Sequence, residues 1–180
     1  IASLSGCDAV KFQKRTPDIC VPNHQKGIMR DTPWGPMTYI EYKYRMEFGK
    51  EEYDEIDRYC RGRGIAWSAS PWDIESLLFL QQYDLPWIKI PSAMITNEGL
   101  VRACVNTRKK IIFSTGMSTY EEIDQTMEWL TGCEVVMMHC NSSYPAPLED
   151  LNLSCIKTLK ERYNCEIGYS GHEFRLGTTV

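Results

Sequence analysis

The 180-residue chain has no apolar run approaching the roughly 20 residues that a membrane-crossing helix requires, which excludes a helical membrane span. It has no excess of positive charge: 20 Lys and Arg stand against 24 Asp and Glu, a formal net charge of -4. That balance leaves no overall basic field for nucleic acid, and the pair Lys109 and Lys110 reads as solvated surface. There is no CxxC pair, and a zinc site at His139 and Cys140 lacks a second short-spaced ligand pair. The opening IASLSGCDAV shows no basic region, no h-region and no cleavage site, so a cytoplasmic location is expected.

With 43% hydrophobic and 24% charged residues, the composition suits one globular domain with a substantial core and argues against disorder. Eight cysteines are present, and Cys7, Cys60, Cys104, Cys140 and Cys155 sit inside apolar patterns. Buried, reduced thiols explain these better than a disulfide scaffold.

Short β-rich segments recur at 8–13, 64–70, 87–92, 110–116, 134–142 and 165–172. Most are too continuously apolar for one-sided strands, so strands buried on both faces are expected. Helical stretches lie between them. Ser118 and Glu121 form an S-x-x-E capping box, after which Ile123, Met127 and Leu130 recur at helical spacing. Ile74, Leu77 and Leu78 form a similar core-facing stripe, as do Leu153, Ile156, Leu159 and Tyr163. From Arg15 to about Thr38 neither period is present, which predicts a long loop above a site.

Alternating strands and helices mean parallel pairing, in a doubly wound sheet or a barrel. Polar residues gather at the C-terminal end of every strand: Lys11 and Gln13, Ser68 and Ser70, Ser92, Ser114 and Thr115, Asn141 and Ser142, Ser170 and His172. Convergence from six strands favours an α/β (β/α)8 TIM barrel, because an open sheet collects ligand contacts mainly at its switch point. A closed barrel needs eight strands, so residues 1–180 are expected to be a partial TIM-barrel catalytic domain covering about its second to seventh strands.

The segments DAVKFQK, TPWGPMTYIEYK, GIAWSASPWD, IKIPSA, IIFSTGMS, HCNSSYPAPLEDLNL and IGYSGHE, in this order, resemble the N-acetylneuraminate (sialic acid) synthase family. The resemblance spans nearly the whole chain and extends to legionaminic and pseudaminic acid synthases and spore-coat polysaccharide synthases. It implies condensation of phosphoenolpyruvate with the aldehyde of an N-acetylated amino sugar, giving a nine-carbon 2-keto sugar acid and phosphate. It also implies a divalent metal, Mn or Mg, and a homodimer of the full-length protein with a C-terminal antifreeze-like domain that this chain lacks.

By the same resemblance, Lys11, Ser70, Lys89, Ser92, Ser114 and Ser170 fall on positions that hold phosphoenolpyruvate, with Lys11 and Lys89 carrying the catalytic charge. The chemistry agrees, since a trianion calls for ammonium groups and hydroxyl donors converging in a partly dry pocket. Gln13, Ser142 and Tyr144 match acceptor-sugar positions, and His172 matches one of two histidine metal ligands. The second histidine, and a carboxylate of the first barrel strand, are expected outside this chain. His139 reads as a core or supporting residue, and His24 carries no assignment.

Gly171 stands where many relatives carry Asp, Met94 where many carry an acidic residue, and Ser142 where some carry Asn. These departures leave the acceptor sugar open. Two other readings remain open at this point: a non-catalytic sugar-acid or phosphate-binding barrel in polysaccharide assembly, and another aldolase-type barrel.

Overall fold

The structure is a computed structural model and describes residues 1–174. The chain divides into two compact units, Ile1–Pro86 and Trp87–Val180.

In the first unit, β1 (Ala9–Lys14) pairs in parallel with β4 (Ala66–Pro71), Lys11 opposite Ser68 and Gln13 opposite Ser70. Between them run α1 (Pro17–Cys20), α2 (Asn23–Lys26), the antiparallel pair β2 (Met29–Arg30) and β3 (Met37–Thr38), α3 (Tyr39–Met46) and α4 (Lys50–Arg63). α5 (Ile74–Leu80) follows β4. The expected featureless stretch from Arg15 to Thr38 therefore holds two one-turn helices and a two-residue hairpin, elements too short to carry a readable period. Tyr53, fully buried, is the centre of the core, with the rings of Phe12, Phe48, Trp67, Phe79 and Tyr83 around it at centroid distances of 5.3 to 6.5 Å.

The second unit is a four-stranded parallel sheet in sequence order: β5 (Trp87–Ile90), β6 (Lys110–Ser114), β7 (Val135–His139) and β8 (Glu166–Tyr169). Successive strands are joined through α6 (Glu98–Asn106), α7 (Tyr120–Trp129) and α8 (Cys155–Arg162). Ile88, Ile90, Leu100, Val101, Cys104, Ile111, Phe113, Ile123, Leu130 and Met137 make its core.

All six expected strands are present, and their pairing is parallel. β4 and β5 are buried along nearly their whole length, as continuous apolar runs demand. β1 departs from this: Lys11 and Gln13 are exposed, so the strand alternates. Lys11 therefore does not face the cost of a buried ammonium.

Other differences are local. The capping box of α7 is Thr119 with Glu122, one residue later than expected: Thr119 N donates to Glu122 Oε2 at 2.8 Å and Glu122 N to Thr119 Oγ1 at 3.3 Å. Ser118 is occupied otherwise, its hydroxyl donating to the Gly116 carbonyl at 3.2 Å. Along α5 the buried face is Ser76, Leu77 and Leu80, whereas Ile74 and Leu78, one turn apart on another face, are exposed. Leu153 precedes α8 and is exposed, while Leu159 and Tyr163 are buried as expected. Cys60, Cys104 and Cys140 are buried free thiols, Cys155 is half-buried and Cys7 is exposed, lying in a turn before β1. No helix among the described residues is long and apolar enough to cross a membrane.

Candidate functional site

The strand ends carry the expected polar residues, and the first unit presents four of them. Because side chains alternate along a strand, Lys11, Gln13, Ser68 and Ser70 share one face of the β1/β4 ladder. Ser70 is 1% exposed, and its hydroxyl has no hydrogen-bond partner among the described residues. A buried hydroxyl in that state is an exception, since buried polar groups are nearly always hydrogen-bonded. Gln13 is held through its backbone, whose carbonyl accepts from Tyr53 Oη at 2.8 Å, and its side-chain oxygen accepts from Arg15.

Just past β4, Asp73 forms a centre that the sequence reading did not single out. Its carboxylate accepts from Thr16 N at 2.7 Å, Thr16 Oγ1 at 2.9 Å, Cys20 Sγ at 3.2 Å, Ser76 N at 2.7 Å and Ser76 Oγ at 2.7 Å. Burial raises its pKa, and the bonds from Thr16 and Ser76 more than offset this, so the carboxyl titrates below its ordinary value. Burial and the Asp73 charge push the Cys20 thiol up to about 12. An Asp immediately before an apolar helical run is an N-cap signal, and that signal in SASPWDIESLL could have found it.

In the second unit, Lys89 is 6% exposed near the end of β5 and donates to Ser114 Oγ at 2.5 Å and to the Ile90 carbonyl at 3.1 Å. Ser114 accepts that bond, which leaves its own proton to donate onward. Gly116 N donates to Ser92 Oγ at 3.0 Å, so the turn after β6 is tied to the end of β5 and the Ser92 proton is likewise left to donate. Ser170 continues β8, its N–H donating to the His139 carbonyl at 2.8 Å. His139 is half-buried, bonds the Leu151 carbonyl through Nε2 at 2.7 Å and stacks on Tyr169, which fits its reading as a supporting residue.

Gly116 is where a side chain does not fit. A Cβ there would stand 2.1 Å from Ser142 Oγ, 3.0 Å from Ser92 Oγ and 3.2 Å from the Cys140 carbonyl oxygen. Both serines would have to move at once, while the carbonyl is fixed in the chain. Gly116→Ala is expected to cost about 1 to 3 kcal/mol, as overpacking does. A thermal-melting midpoint equal to that of the parent would show that the turn yields freely.

The rings of His172 and Tyr144 lie against each other, centroids 4.0 Å apart and planes tilted by 31°, with the Tyr144 hydroxyl 3.0 Å from His172 Nε2. On the other side of the imidazole, Nδ1 lies 2.6 Å from the Asn141 carbonyl oxygen. Burial, then the nearby Cys140, raise the Tyr144 pKa, so the phenol keeps its proton at neutral pH. Among the described residues no group of three or more His, Cys, Asp or Glu side chains could hold a metal. His172 is engaged at both ring nitrogens, Nδ1 by the Asn141 carbonyl and Nε2 by the Tyr144 hydroxyl.

A cavity of about 530 Å³ beside the ends of β6 and β7 is lined by Thr115, Met117, His139 and Cys140 among others. Another, of about 430 Å³ at the opposite ends of these strands, is lined by Arg108, Lys109, Lys110 and Glu134, and neither cavity is lined by the residues expected to hold substrate or metal. Lys110 there is ion-paired with Glu134 at 2.9 Å and Glu166 at 3.4 Å.

Comparison with known proteins gives one consistent result. The profile of the NeuB family matches residues 1–180. An N-acetylneuraminate-9-phosphate synthase of Drosophila melanogaster is 36% identical over 180 residues, covering 96% of this chain and 48% of that protein. An N,N'-diacetyllegionaminic acid synthase of Campylobacter jejuni is 31% identical, covering 96% and 54%. Among solved structures, an N-acetylneuraminic acid synthetase from Leptospira borgpetersenii in complex with citrate superposes with a TM-score of 0.87 at 27% identity, covering 98% of this chain and 59% of that one. The chain spans about half the length of the curated relatives it matches.

Proposed function

Because the chain belongs to the NeuB family, we propose that it forms most of the catalytic (β/α)8 barrel of an enzyme that condenses phosphoenolpyruvate with an N-acetylated amino-sugar aldehyde. The products are a nine-carbon 2-keto sugar acid and phosphate. The observation that carries this reading is the buried Lys89 ammonium beside Ser114, at the end of a parallel strand. An ammonium in that position suits a carboxylate or phosphate, with which it forms charge-assisted bonds in a water-poor site.

Lys89, Ser114, Ser92 and Ser170 are assigned to the phosphoenolpyruvate anion, and so are Lys11 and Ser70. The available protons of Ser114 and Ser92, and the unpartnered hydroxyl of Ser70, are the donors this requires. Gln13, Ser142 and Tyr144 would position the sugar. The enol carbon attacks the aldehyde carbon, water adds at C2, and phosphate departs from the tetrahedral carbon with cleavage of the C–O bond. The residues of this chain contribute placement of two substrates and compensation of phosphate charge. A divalent cation on His172 and a second ligand outside the described residues would supply Lewis-acid polarisation of the aldehyde.

The test is phosphate release by the intact protein supplied with phosphoenolpyruvate, Mn²⁺ and separate acceptors: N-acetylmannosamine, its phosphate ester and 2,4-diacetamido sugars. Release with one acceptor, abolished by chelator, is expected. Silence across the panel would favour a binding barrel, and covalent trapping by borohydride an aldolase with a lysine Schiff base.

A further inference from the structure

Ser92 and Ser142 are assigned to different substrates, yet both hydroxyls lie against one buried backbone position. A Cβ on Gly116 would stand 3.0 Å from Ser92 Oγ and 2.1 Å from Ser142 Oγ, so the two oxygens border a space that only glycine leaves empty. The φ of Gly116 is outside the left-handed region, and the need for glycine here is one of space. The residue is held at both of its peptide groups: its N–H donates to Ser92 Oγ at 3.0 Å, and its carbonyl accepts from Ser118 Oγ at 3.2 Å. Thr115 N, just before it, donates to the Met138 carbonyl at 3.0 Å and ties the turn to β7 as well. The turn cannot drift to make room without giving up hydrogen bonds. Joining a carbon of one substrate to a carbon of the other requires the groups that hold them to be close together and fixed.

We propose that Gly116 is a positioning residue for the condensation: its missing side chain lets Ser92, on the phosphoenolpyruvate side, and Ser142, on the acceptor side, share one place, and its N–H couples them. This deepens the proposed function and rests on its assignments of Ser92 and Ser142. Of the atoms that a methyl group at residue 116 would meet, the Cys140 carbonyl oxygen is 3.2 Å away and belongs to the chain, and Ser92 Oγ is tied to Gly116 N. Ser142 Oγ ends a side chain that can rotate about χ1, so the methyl group displaces it first. Gly116 thus acts on the acceptor through Ser142. The coupling runs the other way too, because removing the Ser92 oxygen releases the Gly116 N–H and loosens the turn against which Ser142 is packed.

The measurement is the acceptor KM and the turnover number for phosphate release by the intact protein, at saturating phosphoenolpyruvate and Mn²⁺, with the acceptor of the panel above that supports release. Ser142→Ala and Gly116→Ala should each raise the acceptor KM about threefold to tenfold, the range of one hydrogen bond. The double variant should raise it no further, because both substitutions remove the same contact. Turnover in Gly116→Ala should also fall about tenfold to a hundredfold as the substrates lose alignment. Ser92→Ala keeps the glycine and so tests the coupling even where Gly116→Ala does not fold; it should raise the acceptor KM at least about threefold. Parental kinetics in Gly116→Ala, multiplied effects in the double variant, or an unchanged acceptor KM in Ser92→Ala overturns the positioning role alone. A parental acceptor KM in Ser142→Ala overturns the assignment of Ser142, silence of the parent across the panel overturns the reading of the site, and the positioning role falls with either.

Discussion

Lys89→Met in the intact protein is expected to lower the turnover number for phosphate release by at least about tenfold to a hundredfold, with the fold preserved. Methionine nearly matches the length of the lysine stem, so the buried volume that the Lys89 side chain fills on its face of β5 stays occupied. What is lost is the ammonium that meets Ser114 Oγ at 2.5 Å and the Ile90 carbonyl at 3.1 Å. Replacing a buried charge by an apolar group of similar size is often neutral for stability, so the melting midpoint should stay close to that of the parent. Lys89→Arg is the informative companion. It keeps the charge but places a planar fork where a compact ammonium sits, and should recover little activity. Initial rates under saturating substrate decide the matter: near-parental turnover in Lys89→Met would overturn the assignment of Lys89.

How far the sequence could be read depended on the length and environment of each element. β5, β6 and β7 were legible because mostly apolar runs followed by Ser, Thr or Asn leave few other conformations. β1 was legible as a strand, but its exposed Lys11 and Gln13 were not, because apolar neighbours in sequence do not reveal which face is covered. The cap of α7 was missed by one residue since Ser118 and Thr119 both satisfy the same spacing, and only the Ser118 bond to the Gly116 carbonyl separates them. The stripe on α5 was misread at Ile74 and Leu78 because a seven-residue helix holds too few turns to fix its buried face.

The candidate site shows the same division. Lys89 and Ser114 are 25 residues apart in the chain, yet parallel pairing of adjacent strands brings them together, so their contact follows from the topology. Tyr144 and His172 are 28 residues apart and both lie beyond the strands, where pairing fixes nothing. Their contact depends on loop conformation and had no sequence signal. Asp73 had a signal of one residue, which is too common to single it out without its partners Thr16 and Cys20 from a distant loop.

Asp73→Ala is expected to cost about 3 to 5 kcal/mol of stability, the largest structural effect of any substitution proposed for this chain. The carboxylate is 5% exposed and receives bonds from two backbone N–H groups, two hydroxyls and a thiol, and alanine leaves all five donors without it. Two of these are structural in different ways. Ser76 N is an unsatisfied donor of the first turn of α5, and Thr16 N opens α1, so one side chain anchors a helix and ties the loop after β1 to the end of β4. Asp73→Asn keeps one oxygen but turns an N–H₂ toward donors, and should fall between the two.

The sign of the pH dependence follows from the depressed pKa. Stability contributed by Asp73 is fully present above the ordinary carboxylate value near about 4, and is lost as the pH falls through the lower value of the folded state. Urea-melting midpoints measured from about pH 6 down to about pH 3 should therefore decline less steeply for Asp73→Ala than for the parent. If instead the two midpoints run parallel at a constant small offset, Asp73 is a helix cap of ordinary strength, and the loop carrying Arg15 and Cys20 is held in place by something else. If the offset is large at neutral pH and closes toward low pH, the geometry beside Gln13 and Ser70 depends on this one buried carboxylate, and substitutions there that reduce activity have to be tested for displacement of the loop as well as for loss of a ligand contact.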